Sequence, residues 1–435
     1  MKIEGNIVEM TSFVLSPEQK QVKNEARLFA QNVLSEAATV YSRLDTQAER
    51  FHSIRPFYRK AVAAGQIHAQ IPAAIGGTSK NLIDVALALE EQYPVDPSVS
   101  LTIAATGLGL TPLILGGNPV LYKKFLSPFL TGEGEPLASL VHSEPGGTAN
   151  WLEKGGKGLQ TAAYCQDDGT WIINGEKLWT TNSAGWDGKG ADLQCVVCRY
   201  CTNDELLPTD TPASAVVVLL VTRETIAQND DSAYQVLAEP ELAGHPAVSG
   251  PHTRFTNFKV PGENLLAAPG VGATLIENSF GMSAALVGAM SAGIMQTVFE
   301  KALKFSKTDT RGGTVPIVQR QSVADLLIDL KIKLDASRLL TYRALDYVQN
   351  ESVDAKTALE ACLQAKIYGS DNAVDCTTAA MKIIGITSYA QDKGFGKILN
   401  DAVCLSLFDG GNVGVRRRQL QQLLEHDDYE SRIGF

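Results

Sequence analysis

The chain has 435 residues, of which 44% are hydrophobic and 20% charged, and its formal net charge is −10. This length predicts two or three domains, because a single hydrophobic core rarely grows beyond about 250–300 residues. The composition excludes a largely disordered chain, and the acidic balance argues against a nucleic-acid-binding protein, which needs clustered Lys and Arg.

The first part of the chain is predicted to be helical. Ser16 can cap a helix that starts at Pro17, and Gln19 completes a capping box with Ser16. Further amphipathic runs, separated by turns that contain glycine or proline, follow at 55–64, 82–92 and 119–130.

The pattern changes near Leu137, where short segments rich in β-branched and aromatic residues begin. Such segments, when bounded by Gly, Asn, Asp or Pro, predict strands. The predicted strands are 171–173, 193–201, 215–222 and 253–260. Residues 203–213 are predicted to form a surface loop.

Cys195, Cys198 and Cys201 are spaced like ligands of a metal ion. Residues three apart on a strand point to opposite faces of the sheet, however, so neighbouring cysteines of this set could not share one ion. No nearby His or second Cys pair completes a tetrahedral set. We therefore expect buried strand cysteines and no metal site.

After about Pro269 the chain becomes helical again. Residues 278–299 carry no charge and could span a bilayer by length. The stretch contains several polar side chains and three glycines, and neither an aromatic belt nor a basic flank frames it. We expect a helix buried in a bundle, and no membrane partner. A further helix presents an apolar face formed by Val323, Leu326, Leu327, Leu330 and Leu334.

The order of helices, strands and helices predicts a multi-domain α+β fold. The expected parts are an N-terminal helical domain at 1–138, a central β-barrel or sandwich at 139–268 and a C-terminal four-helix bundle at 269–435.

The termini and the cysteines predict a cytoplasmic protein. The first 13 residues have no basic region followed by an apolar stretch, and the last three do not form a peroxisomal signal. Seven cysteines spread along the chain do not suggest a disulfide framework, so a reducing compartment fits.

Common nucleotide and hydrolase motifs are missing from the sequence. There is no G-x-G-x-x-G after a strand, no Walker loop and no G-x-S-x-G. A Rossmann dehydrogenase and a serine hydrolase with a nucleophile elbow are therefore disfavoured.

Asp409 is the most informative carboxylate. It follows an apolar run and precedes two glycines, which allow a backbone to approach a ligand closely. An Asx-turn or a helix N-cap explains the same local pattern. Arg416 lies seven residues further on in a run of three arginines, which alternatively forms a solvated helix face. His142 stands in a polar, glycine-rich cluster that could also be a simple turn.

Five blocks of sequence together resemble the acyl-CoA dehydrogenase superfamily, and most closely its nitroalkane oxidase branch. The resemblance extends from about residue 14 to about residue 430. The blocks are LVHSEP at 140–145, GEKLWTTN at 175–182, FTNFKVPGENLL at 255–266, Arg311 followed by Gln321, and FDGGN at 408–412.

This resemblance implies FAD as the cofactor. Thr181 would hydrogen-bond flavin N5, and Arg311 and Gln321 would bind the FAD of a neighbouring subunit, with Arg311 at the pyrophosphate. The family typically forms a homotetramer. The residues that would line the isoalloxazine ring are His142, Ser143 and Trp179.

The resemblance also assigns the catalytic positions. Asp409 takes the place of the catalytic base, Arg416 that of the family's arginine, and Ser283 that of a serine that hydrogen-bonds the base. The dehydrogenases usually carry Glu here, one methylene longer than Asp. The implied activity is oxidation of neutral nitroalkanes by FAD and O₂ to aldehydes or ketones, with release of nitrite and hydrogen peroxide. Two alternatives stay open: an acyl-CoA dehydrogenase or oxidase acting on a CoA thioester, and a non-catalytic helical scaffold.

Overall fold

The computed structural model describes residues 14–202 and 210–431. The expectations about the two ends of the chain, and about 203–209 of the predicted loop, concern residues outside these ranges.

The N-terminal part is helical, as predicted. Ser16 Oγ accepts the backbone N–H of Gln19, and the Gln19 side chain accepts that of Ser16, so the predicted capping box is present. The helices are α1 (Pro17–Asn32), α2 (Ala37–Tyr41), α3 (Gln47–Ser53), α4 (Arg55–Ala63), α5 (Leu82–Gln92), α6 (Pro97–Gly116), α7 (Pro119–Phe125) and α8 (Ser127–Leu130).

Helix α6 is absent from the predicted elements. Its sequence consists almost entirely of apolar, small or hydroxyl-bearing residues, so it shows no polar face and no helical period. Most of the helix is buried, and one of its faces packs against β1 and β4 of the sheet described below.

In the described ranges the central part is a mixed sheet of eight strands. They are β1 (Ala138–Val141), β2 (Ala162–Cys165), β3 (Trp171–Leu178), β4 (Leu193–Tyr200), β5 (Val216–Val221), β6 (Tyr234–Ala238), β7 (His252–Val260) and β8 (Leu265–Ala267), with α9 (Arg223–Ala227) after β5. The order is β6-β7-β3-β2-β4-β5-β8, and β1 pairs in parallel with β4.

The two faces of β4 pack into different cores, as strand alternation requires. Cys195 lies in the core shared with the N-terminal helices, whereas Cys198 lies in a second core on the other face of the sheet. Cys201 is also buried. The prediction of buried strand cysteines is confirmed.

The C-terminal part is a bundle of long helices, as predicted. The helices are α10 (Gly272–Thr308), α11 (Gln321–Gln349), α12 (Ala355–Ile384), α13 (Phe395–Leu405) and α14 (Arg417–Leu424). Between α13 and α14 the chain forms a π-helical turn at Asn412–Arg416. Helix α5 of the N-terminal part contributes to the bundle core through Ala86 and Leu89.

Within the described ranges, α6 and α10 are long and apolar enough to cross a membrane by length and composition. More than half of the most apolar window of each is buried inside the protein. For α10, which contains the uncharged stretch 278–299, this agrees with the predicted bundle helix.

Candidate active site

The carboxylate of Asp409 is buried at the point where α13 ends. Its side chain is 3% exposed, and its backbone is left-handed, with φ of +52°. Gly410 continues the left-handed path at +69°. Among the described residues the carboxylate is contacted by side chains and by no backbone N–H, so the Asx-turn and helix N-cap alternatives are wrong. The polypeptide turns sharply here and directs an acidic group into the protein.

Two side chains contact this carboxylate from different elements. Ser283 of α10 donates its hydroxyl to Oδ1 of Asp409 at 2.5 Å. Nη2 of Arg416 lies 3.5 Å from Oδ2. Arg416 binds the backbone carbonyl of Asp409 more closely, through Nε at 2.9 Å and Nη2 at 2.7 Å. The structure thus brings together the three predicted catalytic residues.

Arg416 differs sharply from its neighbour in the arginine run. Its guanidinium is buried, whereas Arg417 is exposed and pairs with Asp371. Nη2 of Arg416 also donates to the carbonyl of Phe280 at 3.3 Å, and the guanidinium lies 5.9 Å from the centre of the Phe280 ring. The solvated-face reading is wrong for Arg416.

Lys366 and Asn412 complete the surroundings of the base and were not predicted. Lys366 of α12 is fully buried and donates to the carbonyl of Gly410 and to Oδ1 of Asn412. Burial lowers its pKa to about 8, although Asp409 nearby acts in the opposite direction. A lone lysine in the largely apolar stretch 361–369 was the available signal.

His142 lies on the other side of Phe280. The His142 ring is buried and meets the rings of Trp151 and Phe280 edge-on, with centroids 4.7 Å and 5.4 Å apart. Burial lowers the pKa of His142 to about 3, so the ring is neutral at pH 7. Among the described residues its Nε2 is buried without a hydrogen-bond partner. Phe280 therefore connects His142 to the Asp409 site.

A tight turn after β3 presents Trp179 at the surface. Trp179 has φ of +64° and is 53% exposed. The carbonyl of Thr181 accepts the Ser139 hydroxyl at 2.7 Å, and Asn182 donates to the carbonyl of Thr102 in α6. The turn is thus fixed from below while its indole stays uncovered.

These residues fit a flat cofactor ring. An uncovered indole held in a strained turn, and a neutral histidine with an unpartnered ring nitrogen, offer apolar contact and one hydrogen bond. Ser143 follows His142, and its carbonyl accepts the N–H of Leu178 at 2.9 Å, which joins the two segments. The residues predicted to line the isoalloxazine, His142, Ser143 and Trp179, therefore offer a wall for FAD.

A buried ion pair that was not predicted lies beneath this wall. Lys177 of β3 is fully buried and donates to Glu144 Oε1 at 2.9 Å and to the carbonyls of His142 and Val197. Both charged residues stand in the motif blocks, but nothing in the local sequence shows that they meet.

The structure does not bring Arg311 and Gln321 to this site. Helix α10 separates them from it: Ser283 and Thr308 are 25 residues apart on the helix (308 − 283), which is about 38 Å at 1.5 Å per residue. Arg311 donates to the carbonyl of Ile383 at 2.5 Å, and Gln321 to Asp325 at 2.6 Å.

Comparison with known proteins places the chain in a family. Residues 16–133 match the model of the acyl-CoA dehydrogenase N-terminal domain, and 270–424 match that of the C-terminal domain. A nitroalkane oxidase of Fusarium oxysporum is 54% identical over 425 residues, covering 97% of this chain and 96% of the relative. One of Podospora anserina is 47% identical over 420 residues, covering 96% and 97%.

The chain belongs to the nitroalkane oxidase family. The predicted membership of the acyl-CoA dehydrogenase superfamily, the fold class and the FAD cofactor of a flavoprotein oxidase are thereby confirmed.

Solved nitroalkane oxidases share the fold closely. An active-site Asp-to-Asn variant crystallised with 1-nitrooctane superimposes with a TM-score of 0.94 at 53% identity, covering 96% of this chain and 98% of that one. A Ser-to-Ala active-site variant was crystallised with 1-nitrohexane, and the roles of an arginine and the aspartate were analysed. That serine and aspartate are 126 residues apart, as are Ser283 and Asp409, and that arginine follows by seven, as does Arg416.

Proposed function

We propose that this chain oxidises neutral nitroalkanes to aldehydes or ketones, and that Asp409 starts the reaction by removing the α proton. The observation that carries the proposal is the buried carboxylate of Asp409, held at one oxygen by Ser283 and flanked at the other by Arg416. The matching spacing of serine, aspartate and arginine in the solved nitroalkane oxidases supports it.

The chemistry suits a carbon acid. A nitro group stabilises the carbanion left by proton loss, because the charge moves onto its two oxygens. Because the Asp409 carboxylate is buried, few water molecules can hydrate it, and the hydrogen bond from Ser283 fixes its orientation. When Asp409 accepts the proton, the positive charge of Arg416 beside it is left to stabilise the new substrate anion, without an opposing carboxylate charge.

The overall reaction balances with one water and one dioxygen. Nitroalkane, O₂ and H₂O give the carbonyl compound, nitrous acid (which ionises to nitrite) and hydrogen peroxide. Bound FAD supplies the acceptor for the two electrons, which pass finally to O₂. His142, Ser143, Trp179 and Thr181 would hold the cofactor ring, and the neutral state of His142 adds no charge beside it.

The decisive experiment is the Asp409→Asn variant. The amide cannot accept the proton, so we expect nitrite release from nitroethane to fall by about 10²–10⁴-fold, the usual contribution of a general base. Nitrite and O₂ consumption would be measured beside the wild type. Because Asn preserves the shape of the site, the flavin spectrum serves as the control for an intact fold.

Two outcomes would contradict this function. An Asp409→Asn variant with the wild-type rate removes Asp409 from the role of base. A wild-type protein that ignores nitroethane but whose flavin is bleached anaerobically by a CoA thioester is instead an acyl-CoA dehydrogenase.

We also propose that the protein is a cytoplasmic homotetramer. The distance of about 38 Å along α10 supports an Arg311 that binds the FAD of another subunit. Exposed apolar residues on α11, Ile328, Ile332 and Leu339, support an interface between copies. The cysteine usage supports a reducing compartment. Light scattering coupled to size exclusion would give the mass, and a monomer that retains FAD would refute the assembly.

A further inference from the structure

The side chain of Lys366 holds the segment that follows the base. Its Nζ donates to the carbonyl of Gly410 at 3.2 Å and to Oδ1 of Asn412 at 2.8 Å. The lysine is fully buried, and taking an ammonium group out of water is costly unless its donors are satisfied. A buried lysine directed at two acceptors beside Asp409 therefore calls for a role.

The side-chain amide of Asn412 in turn donates to other residues of α12, the helix that carries Lys366. Its Nδ2 donates to Ser370 Oγ at 2.9 Å and to Asp371 Oδ1 at 2.7 Å. Lys366 and Ser370 are four residues apart and so share one face of α12. This face of α12 holds residues 410–412 by hydrogen bonds, whereas Arg416 binds the carbonyl of Asp409 itself.

These hydrogen bonds matter because the backbone at Asp409 is left-handed. A non-glycine residue at a φ of +52° is unfavourable and persists where surrounding contacts impose it. Arg416 fixes one side of this turn, and Lys366 fixes the other side through Gly410 and Asn412.

We propose that Lys366 is a positioning residue for the proton abstraction. This inference rests on the proposed function. The lysine holds the segment after Asp409 so that the carboxylate keeps its direction.

The charge of Lys366 depends on pH near neutrality. Burial lowers its pKa to about 8; Asp409 and, more weakly, Asp371 and Cys404 act to raise it, and Arg416 to lower it. The ammonium form is thus present below about pH 8 and is lost as the pH rises through that value. We expect kcat/KM for a neutral nitroalkane to fall over the same range.

The test compares Lys366→Met with Lys356→Met. Lys356 lies on the same helix but is exposed and pairs with Asp428. Loss of charged hydrogen bonds predicts that Lys366→Met lowers kcat/KM for nitroethane by about tenfold to 100-fold and abolishes the decline of kcat/KM above pH 8. Lys356→Met should match the wild type. The nitroalkane is added from a neutral stock, because its own ionisation in water is slow.

Two further measurements separate positioning from general damage. The preformed nitronate of the same compound needs no base, so Lys366→Met should oxidise it at a rate within about twofold of the wild type, since no lost contact is used there. Lys366→Gln keeps a donor but no charge, so it should recover part of the rate without recovering the decline above pH 8.

Hydrogen exchange of the backbone amides at 409–412 does not depend on any substrate. Lys366→Met should exchange faster there, and Lys356→Met should not. Equal loss of nitroalkane and nitronate oxidation, unchanged exchange, or a wild-type rate in Lys366→Met would each overturn the inference. A wild type that is inactive on both nitroethane and its nitronate would instead refute the proposed function, and the exchange experiment would still decide whether Lys366 holds the segment.

Discussion

Gly410 occupies a position that a side chain cannot share. Its φ is +69°, and a Cβ built there would lie 2.8 Å from Nε of Arg416. The residue after the base is glycine both for its backbone and for the space it leaves to the guanidinium. The contact between Asp409 and Arg416 therefore requires a residue without a side chain at position 410.

The Gly410→Ala variant tests this. Strain and the clash predict a loss of about 1–3 kcal/mol of stability and a fall of more than about tenfold in nitrite release as Arg416 moves. Gly396→Ala is the matched control, because Gly396 lies in α13 and an added methyl meets nothing within 4 Å. A Gly410→Ala enzyme with full activity would contradict the packing described here. Denaturant titration measures the change in stability, and a steady-state assay measures nitrite release.

At the scale of residues, the catalytic residues could be predicted from the sequence, but Lys366 could not. The family resemblance assigned Ser283, Asp409 and Arg416 to the catalytic positions, and the structure brings them into contact. Lys366 was missed because a single lysine in a helix is usually solvated, and its burial depends on how α12 packs against a loop 44 residues away.

At the scale of elements, the pair of Lys177 and Glu144 joins the segment after β1 to β3 and β4. Burial raises the pKa of Glu144, but Lys177 and the N–H groups of Gln160 and Thr161 outweigh it and hold the pKa below its usual value. The lysine also binds the carbonyl of Val197 in β4 at 2.7 Å. Three segments under the FAD wall thus share one ammonium group.

Breaking this pair from one side should be costly. Lys177→Met leaves Glu144 charged and buried without its partner, so we expect a loss of about 3–5 kcal/mol in the free energy of unfolding. The double variant Lys177→Met/Glu144→Gln removes both charges and should recover a large part of that loss. Urea titration of the single and double variants measures both. Equal destabilisation of the single and the double variant would show that the charge is unimportant.

Elements with a clear local pattern were predictable, and the others were not. Strands β4 and β5 are short runs rich in β-branched or aromatic residues, and helices α1, α5 and α11 show a capping box or an apolar face. Helix α6 has no polar face, and β1, β2 and β6 are too short to show alternation. The π-helical turn at Asn412–Arg416 depends on contacts with α12 that no local pattern encodes.

At the scale of the whole molecule, His245 joins all three parts. It lies between β6 and β7 and is 2% exposed. Its Nε2 contacts the hydroxyl of Tyr93 at 2.5 Å, next to α5, and its backbone N–H donates to Asp401 of α13 at 2.8 Å. The His245 ring also meets that of Phe408, which precedes the base.

This histidine predicts acid sensitivity. Burial lowers the pKa of His245 to about 4 despite Asp401 nearby. In the unfolded chain His245 takes up a proton near pH 6.5. Its effect on the free energy of unfolding is therefore absent above that pH, and the free energy of unfolding decreases as the pH falls toward 4, by roughly 1 kcal/mol per pH unit. Asp96, whose pKa burial raises to about 6, acts in the opposite sense.

The measurement is the free energy of unfolding of the holoenzyme between pH 7.5 and pH 4.5. The wild type should lose stability more steeply than His245→Asn, in which no imidazole titrates and Asp96 is retained. Identical pH slopes for the two proteins would rule out His245 as the source.

The order of the site along the chain has a consequence for its synthesis. The sheet that carries the cofactor wall is complete once β7 and β8 have been made, and Phe280 and Ser283 follow, but the base waits for Asp409 and its arginine for position 416. Ribosomes extend a chain from its N-terminus, and domains fold as they emerge. A nascent chain can therefore shape the wall long before it can remove a proton, so an interrupted product carries the cofactor surface without the chemistry.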